Sequence, residues 1–173
     1  MFSKKIRVAG IVNDSIVDGP GLRYSLFVQG CPHHCLGCHN PETHPFKGGK
    51  LISVKKILKE IKSNSLIQGV TFSGGEPMMQ AKNLSIIAKE CKNMGLNTAC
   101  YTGFLFENLL DGKVKYAKEF LSNIDILIDG PFVLAQKSMD CKFKGSSNQR
   151  TIDVQKSLLA NKAILSDDKK WQA

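Results

Sequence analysis

Two hydrophobic periods alternate along the chain. Leu22-Arg-Tyr-Ser-Leu-Phe-Val-Gln29 comes near a period of two and is rich in β-forming residues, which predicts a half-buried strand. Val54, Ile57, Leu58 and Ile61 then recur at helical spacing behind Ser53, a side chain suited to capping a helix. Gly69 to Ser73 reads as a short buried strand ending in glycines. Leu84, Ile87, Ala88 and Cys91 form a second helical stripe, with Gly95 placed to stop it. Asn97 to Thr102 predicts a third strand, Phe104 to Leu121 a helix broken near Asp111-Gly112, and Ile124-Asp-Ile-Leu-Ile-Asp129 a fourth strand. Thr151 to Val154 is a further strand candidate. Beyond Gln155 no period holds, and the charged run from Asp167 to Lys170 is expected to be a loose tail.

Alternating strands and helices predict a parallel sheet with helices packed outside it. The units are too few for a closed eight-stranded barrel, so the expected fold is α/β, an open partial (βα) barrel. Its functional loops should lie beyond the C-terminal ends of the strands. Four segments with unusual chemistry fall there: Cys31 to Cys38, Ser73-Gly-Gly-Glu-Pro77, Tyr101-Thr-Gly103 and Asp129-Gly-Pro131. The expected organisation is one domain over residues 1–155, followed by a C-terminal extension or tail over 156–173.

Composition narrows the function classes. At 173 residues, 42% hydrophobic and 23% charged, the chain can bury a core without disulfide staples. The formal net charge is +9, yet only 3 of the 24 basic residues are arginine. No dense basic block or aromatic-interleaved stripe is present, so no nucleic-acid partner is expected. No apolar run reaches membrane-spanning length, and the start of the chain does not read as a targeting segment, so no membrane partner is expected and a cytoplasmic protein is the default. Arg23 and Arg150 are rigid, planar donors. Either they clamp a carboxylate or backbone of a partner, or they close structural ion pairs.

Six cysteines are present, three of them crowded into Gly30-Cys-Pro-His-His-Cys-Leu-Gly-Cys38. Their C-x3-C-x2-C spacing lets Cys31, Cys35 and Cys38 wrap three corners of a 4Fe–4S cluster, leaving one iron open to an external donor. The alternative is a non-catalytic zinc-binding module using His33, His34, His39 or His44. The distant second ligand pair usual in structural zinc sites is missing. Cys91 and Cys100 read as small core residues, and Cys141 lies in a polar region.

Gly74-Gly75 after a strand lets the backbone approach a ligand closely, or else forms an ordinary strand-to-helix turn with Glu76-Pro77. Asp129 is either a carboxylate for a ribose or ammonium group, or a turn former before Gly130-Pro131. Tyr101 and Thr102 are weaker candidates. Asp18-Gly-Pro-Gly21 reads as a turn.

The cysteine triad resembles the signature of the radical S-adenosylmethionine superfamily. Asp18-Gly-Pro-Gly-Leu-Arg23, the triad running into His39-Asn-Pro-Glu-Thr43, Ser73-Gly-Gly-Glu-Pro77 and Gly145-Ser-Ser-Asn-Gln-Arg150 occur in order. Together they resemble the activating proteins of anaerobic ribonucleoside-triphosphate reductase. The likeness implies a 4Fe–4S cluster held by Cys31, Cys35 and Cys38 and an S-adenosylmethionine that chelates the open iron. It also implies cofactor contacts from Gly37, Cys38, His39, Ser73, Gly74, Gly75, Glu76 and Asp129. One electron from a flavodoxin or ferredoxin would cleave that cofactor to a 5′-deoxyadenosyl radical. The radical would remove a hydrogen atom from a glycine of the large reductase subunit. Many superfamily members carry an aromatic residue just before the third cysteine, where its ring touches adenine. Gly37 departs from that pattern, which leaves the contact to backbone near Gly37, Cys38 and His39 or to another part of the site. An activase of another glycyl-radical enzyme, such as pyruvate formate-lyase, is the rival within the same chemistry.

Overall fold

The computed structural model describes residues 4–172. Seven strands form one sheet: β1 (Lys5–Ser15), β2 (Arg23–Val28), β3 (Lys50–Ser53), β4 (Gly69–Gly74), β5 (Asn97–Tyr101), β6 (Ile126–Asp129) and β7 (Arg150–Asp153). Their order is β3-β1-β2-β4-β5-β6-β7. The pairs β2–β4, β4–β5 and β5–β6 are parallel. Antiparallel strands flank this centre, β1 between β2 and β3 on one side and β7 on the other. The ends of the order do not pair, so the sheet is an open partial barrel, as the alternation of periods predicts.

Helices α1 (Val54–Ser63), α2 (Ala81–Asn93), α3 (Phe106–Leu110) and α4 (Ala117–Leu121) connect the parallel strands. Ser53 caps α1, its hydroxyl accepting from the Lys56 N–H at 3.2 Å. Gly95 follows α2 at a φ of +76°, where a side chain would be strained. Strand period sorts the side chains into two cores. Tyr24, Leu26, Val28, Val70, Phe72 and Leu127 pack against the helices through Ile57, Leu84, Ile87 and Phe120. Ala99, Ile126 and Ile128 face the other way and pack with Trp171.

The long strand β1 and the short β3 are not apparent in the sequence pattern. Register shifts between Val8 and Gly10 and between Val12 and Ser15 interrupt the period of β1. The C-terminal segment also differs from the expected loose tail. After α5 (Val154–Ala160), Leu165 bridges to Ile152, and the Asp168 side chain caps a single 3-10 turn over Lys169–Trp171. Trp171 is 2% exposed, edge-on to Phe143 and 5.3 Å from the Arg23 guanidinium. Burying one large ring against the open inner face holds this charged segment in place.

Candidate active site

The four loops expected at the C-terminal ends of the strands do meet. They line a cavity of about 410 Å³, which takes in Cys31, Cys35 and Cys38, Ser73 to Glu76, Tyr101 to Gly103, and Gly130. His39 also lines it, whereas Gly37 and Asp129 do not.

The three thiols are free. Burial pushes the Cys31 thiol up from its ordinary pKa, opposed by backbone N–H groups of His33 and His34 directed at its sulfur. The Asn40 N–H donates to Cys38 Sγ at 3.4 Å. Three soft donors on one cavity fit an iron–sulfur cluster, whose thiolates are commonly tuned by N–H groups such as that of Asn40. Among the described residues, no three or more His, Cys, Asp or Glu side chains converge closely enough for a single metal ion. A polynuclear cluster spreads its thiolates over separate irons and needs no such convergence.

Glu76 is 1% exposed and ties the loops together. One carboxylate oxygen accepts from the Met78 N–H at 3.0 Å and the Thr102 hydroxyl at 2.9 Å. The other meets His33 Nε2 at 2.7 Å and accepts from the Gly103 N–H at 2.8 Å. With four partners inside the protein, this side chain is a strut between the loops. His33, which the spacing alone could not interpret, is therefore anchored to the β4 loop. Only a residue as small as Gly103 leaves room for its ring, since a Cβ there would come within 2.5 Å of it.

The paired glycines have a second reason to be glycine. A Cβ on Gly74 would strike the Val28 backbone, and one on Gly75 would strike the Gly30 carbonyl. The close approach read from the sequence is thus made to the protein's own β2 end, directly before Cys31. Gly37 sits at a φ of +73° with Leu134 where its side chain would be.

Asp129 resolves in favour of structure. It is fully buried; Arg150 Nε donates to Oδ1 at 2.9 Å, while Oδ2 accepts from the Phe106 N–H at 2.8 Å and from the Arg150 fork. The same guanidinium reaches Glu107 at 3.0 and 2.8 Å. Arg23 is also committed: its guanidinium donates to Thr71, Val70, Pro20 and Asn97. Burial among these neutral acceptors lowers its pKa to about 10. Neither arginine is free to clamp a partner, and both serve the fold.

The Gly145 to Arg150 segment builds a wall of the cavity. Gln149 accepts from the Gly145 N–H at 2.8 Å and donates to the Gly130 carbonyl at 3.0 Å, and the Ser146 hydroxyl accepts from the Val133 N–H at 3.1 Å. Phe132, on the loop so fixed, lines the cavity with its ring 5.0 Å from that of His39. Sequence pattern gives no sign of Phe132, because what brings it to the site is the fold of β6 and β7.

Fold and site together define an open βα barrel with a three-cysteine loop at its mouth, a donor set suited to an iron–sulfur cluster. Residues 17–152 match the family described as "4Fe-4S single cluster domain". The chain belongs to this family, in the radical S-adenosylmethionine branch that contains the activating proteins of glycyl-radical enzymes. It is 33% identical over 145 residues to the anaerobic ribonucleoside-triphosphate reductase-activating protein of Vibrio cholerae, covering 78% of this chain and 89% of that one. The protein of the same name from Enterobacteria phage T4 is 34% identical, with 78% and 85% covered. Pyruvate formate-lyase-activating enzyme of Clostridium pasteurianum is 36% identical over 131 residues, with 70% of this chain and 50% of that one covered. The chain thus spans about half the length of that enzyme, and 64% of its Escherichia coli counterpart.

Proposed function

We propose that the chain activates an anaerobic ribonucleoside-triphosphate reductase in the cytoplasm by installing a glycyl radical on its large subunit. The observation that carries this reading is the single cavity shared by the three thiols and the loops after β4, β5 and β6. Extensive coverage of the reductase activators, against half to two-thirds of the formate-lyase ones, favours the reductase as partner.

Cys31, Cys35 and Cys38 would hold a 4Fe–4S cluster with one iron open, supplied with one electron by a reduced flavodoxin or ferredoxin. When bound, that group supplies the electron that splits S-adenosylmethionine into methionine and a 5′-deoxyadenosyl radical. The chain contributes binding and orientation. Backbone groups of Ser73, Gly74 and Gly75 would take the cofactor's amino group, held in place by Glu76. The Cys38–His39 backbone and the Phe132 ring would flank the adenine, a role that Gly37 cannot fill. Gly130 and Gln149 would fix the wall past which the partner's glycine enters.

The test is anaerobic reconstitution with S-adenosylmethionine, a reductant and the reductase large subunit. A glycyl-radical paramagnetic resonance signal on the subunit is expected, and it should vanish when the acceptor glycine becomes Ala. Cofactor cleavage without that signal would overturn the partner while leaving the radical chemistry standing.

A further inference from the structure

A second concavity lies on the other side of the cysteine loop. It is lined by Pro32, Met79 and Tyr116, with Lys82, Lys113 and Lys115 at its edge, and no Asp or Glu contributes to its lining. Lys82 heads α2, and its ammonium lies 5.1 Å from the centre of the Tyr116 ring, which helps fix the groove's shape. Lys113 pairs with Asp111 at 3.1 Å, whereas Lys82 and Lys115 pair with no carboxylate among the described residues. Met79 and Tyr116 are 41% and 46% exposed, giving an apolar floor inside a basic rim.

His33 lines this groove and the cluster cavity alike. Held by Glu76 and edge-on to Phe104 at 4.6 Å, its ring is the partition between them. Pro32 and His33 lie between Cys31 and Cys35 in the chain. A protein seated in the groove would therefore rest against the stretch joining two cluster ligands, without entering the mouth used by cofactor and glycine.

From this placement and charge we infer that the groove is the docking site of the electron donor, an acidic one-electron carrier protein. The inference rests on the activase reading and adds to it where the electron enters. In the docked complex the reduced carrier loses one electron and the cluster gains it; no bond forms or breaks and no proton need move. Docking on a basic rim fits a partner of opposite charge, and such contacts act mainly on encounter and specificity.

The experiment compares a groove variant, Lys82→Glu with Lys115→Glu, with a control of equal charge change on exposed positions of α1, Lys55→Glu with Lys59→Glu. Calorimetric titration of each cluster-loaded protein with oxidised flavodoxin is expected to show binding weakened about tenfold or more in the groove variant only. The difference should shrink at about 0.5 M salt, where surface charges are screened. Dithionite-driven cleavage of S-adenosylmethionine should be equal in all three proteins. Unchanged flavodoxin binding in the groove variant, or equal weakening in both variants, overturns the docking site. Loss of dithionite-driven cleavage in the groove variant alone would also overturn it, by making the groove part of the reaction site. Failure of dithionite-driven cleavage in the unmodified, loaded protein would instead sink the activase reading and leave the binding result standing.

Discussion

Gly75 faces the carbonyl oxygen of Gly30 so closely that a Cβ at position 75 would collide with it. The turn after β4 and the first residue of the cysteine loop are therefore one packed unit. Gly75→Ala is expected to lower both cofactor affinity and cluster content, the latter read by iron and sulfide assay. Full iron content with lost cofactor affinity would show that the two segments are independent.

Replacing Cys31, Cys35 or Cys38 by Ala should abolish the visible absorption of a 4Fe–4S cluster. Cys91→Ala and Cys100→Ala should spare it and cost about 1 kcal/mol each through lost packing. Both of these thiols are fully buried, and burial raises their pKa, to about 12 for Cys91 and well above the ordinary value for Cys100. Neither is poised to act as a ligand.

Glu76→Gln keeps the shape of the side chain but turns an amide N–H₂ toward a donor. We expect a loss of about 3 kcal/mol in denaturant unfolding, since at least one buried donor loses its acceptor. Cluster content should fall with it, because one amide oxygen cannot accept from both the Met78 and the Gly103 N–H, and the tie between the loops loosens. A stable, fully loaded Glu76→Gln protein would refute the strut.

Arg150→Ala strands the buried Asp129 carboxylate, and a loss of about 3–5 kcal/mol is expected near neutral pH. Hydrogen bonding to Arg150 holds the Glu107 carboxyl below its ordinary value of 4.5. A carboxyl depressed in the folded state stabilises above its unfolded pKa and loses that contribution as pH falls through the folded one. The gap between wild type and Arg150→Ala should thus narrow in urea titrations taken below about pH 4.5. A gap that widens on acidification would contradict the pairing.

Trp171→Ala should cost about 3–5 kcal/mol, the range for removing a large buried ring. A thermal melt unchanged by the substitution would return residues 167–170 to the status of a loose tail.

The parallel centre of the sheet was legible because each strand and helix there carries its own local signal. Ser53 before Val54, Ile57 and Ile61 states a helix start and its buried face, and Ile126 to Ile128 is apolar enough to be a buried strand. Trp171 had no such signal, since a single aromatic beside Lys169 and Lys170 has no period. The cysteine triad was equally clear, as its spacing is contiguous in the chain. Asp129, Arg23 and Arg150 were not, because partners set the role of a charged side chain. Theirs lie 21 residues away for the Asp129–Arg150 pair and 48 for Arg23 with Thr71. The duty of Glu76 was hidden for the same reason.

An unclosed sheet carries a hazard of its own, because each free edge is a template on which a strand of another molecule can grow. Here one edge strand, β3, is only four residues long and begins with the exposed Lys50. The other, β7, has its outer side taken up by residues 164–166: the Asp153 N–H donates to the Ile164 carbonyl and the Ser166 N–H to the Thr151 carbonyl. The barrel can thus stay open without inviting edge-to-edge polymerisation, and concentrated protein should remain free of sheet-mediated aggregates.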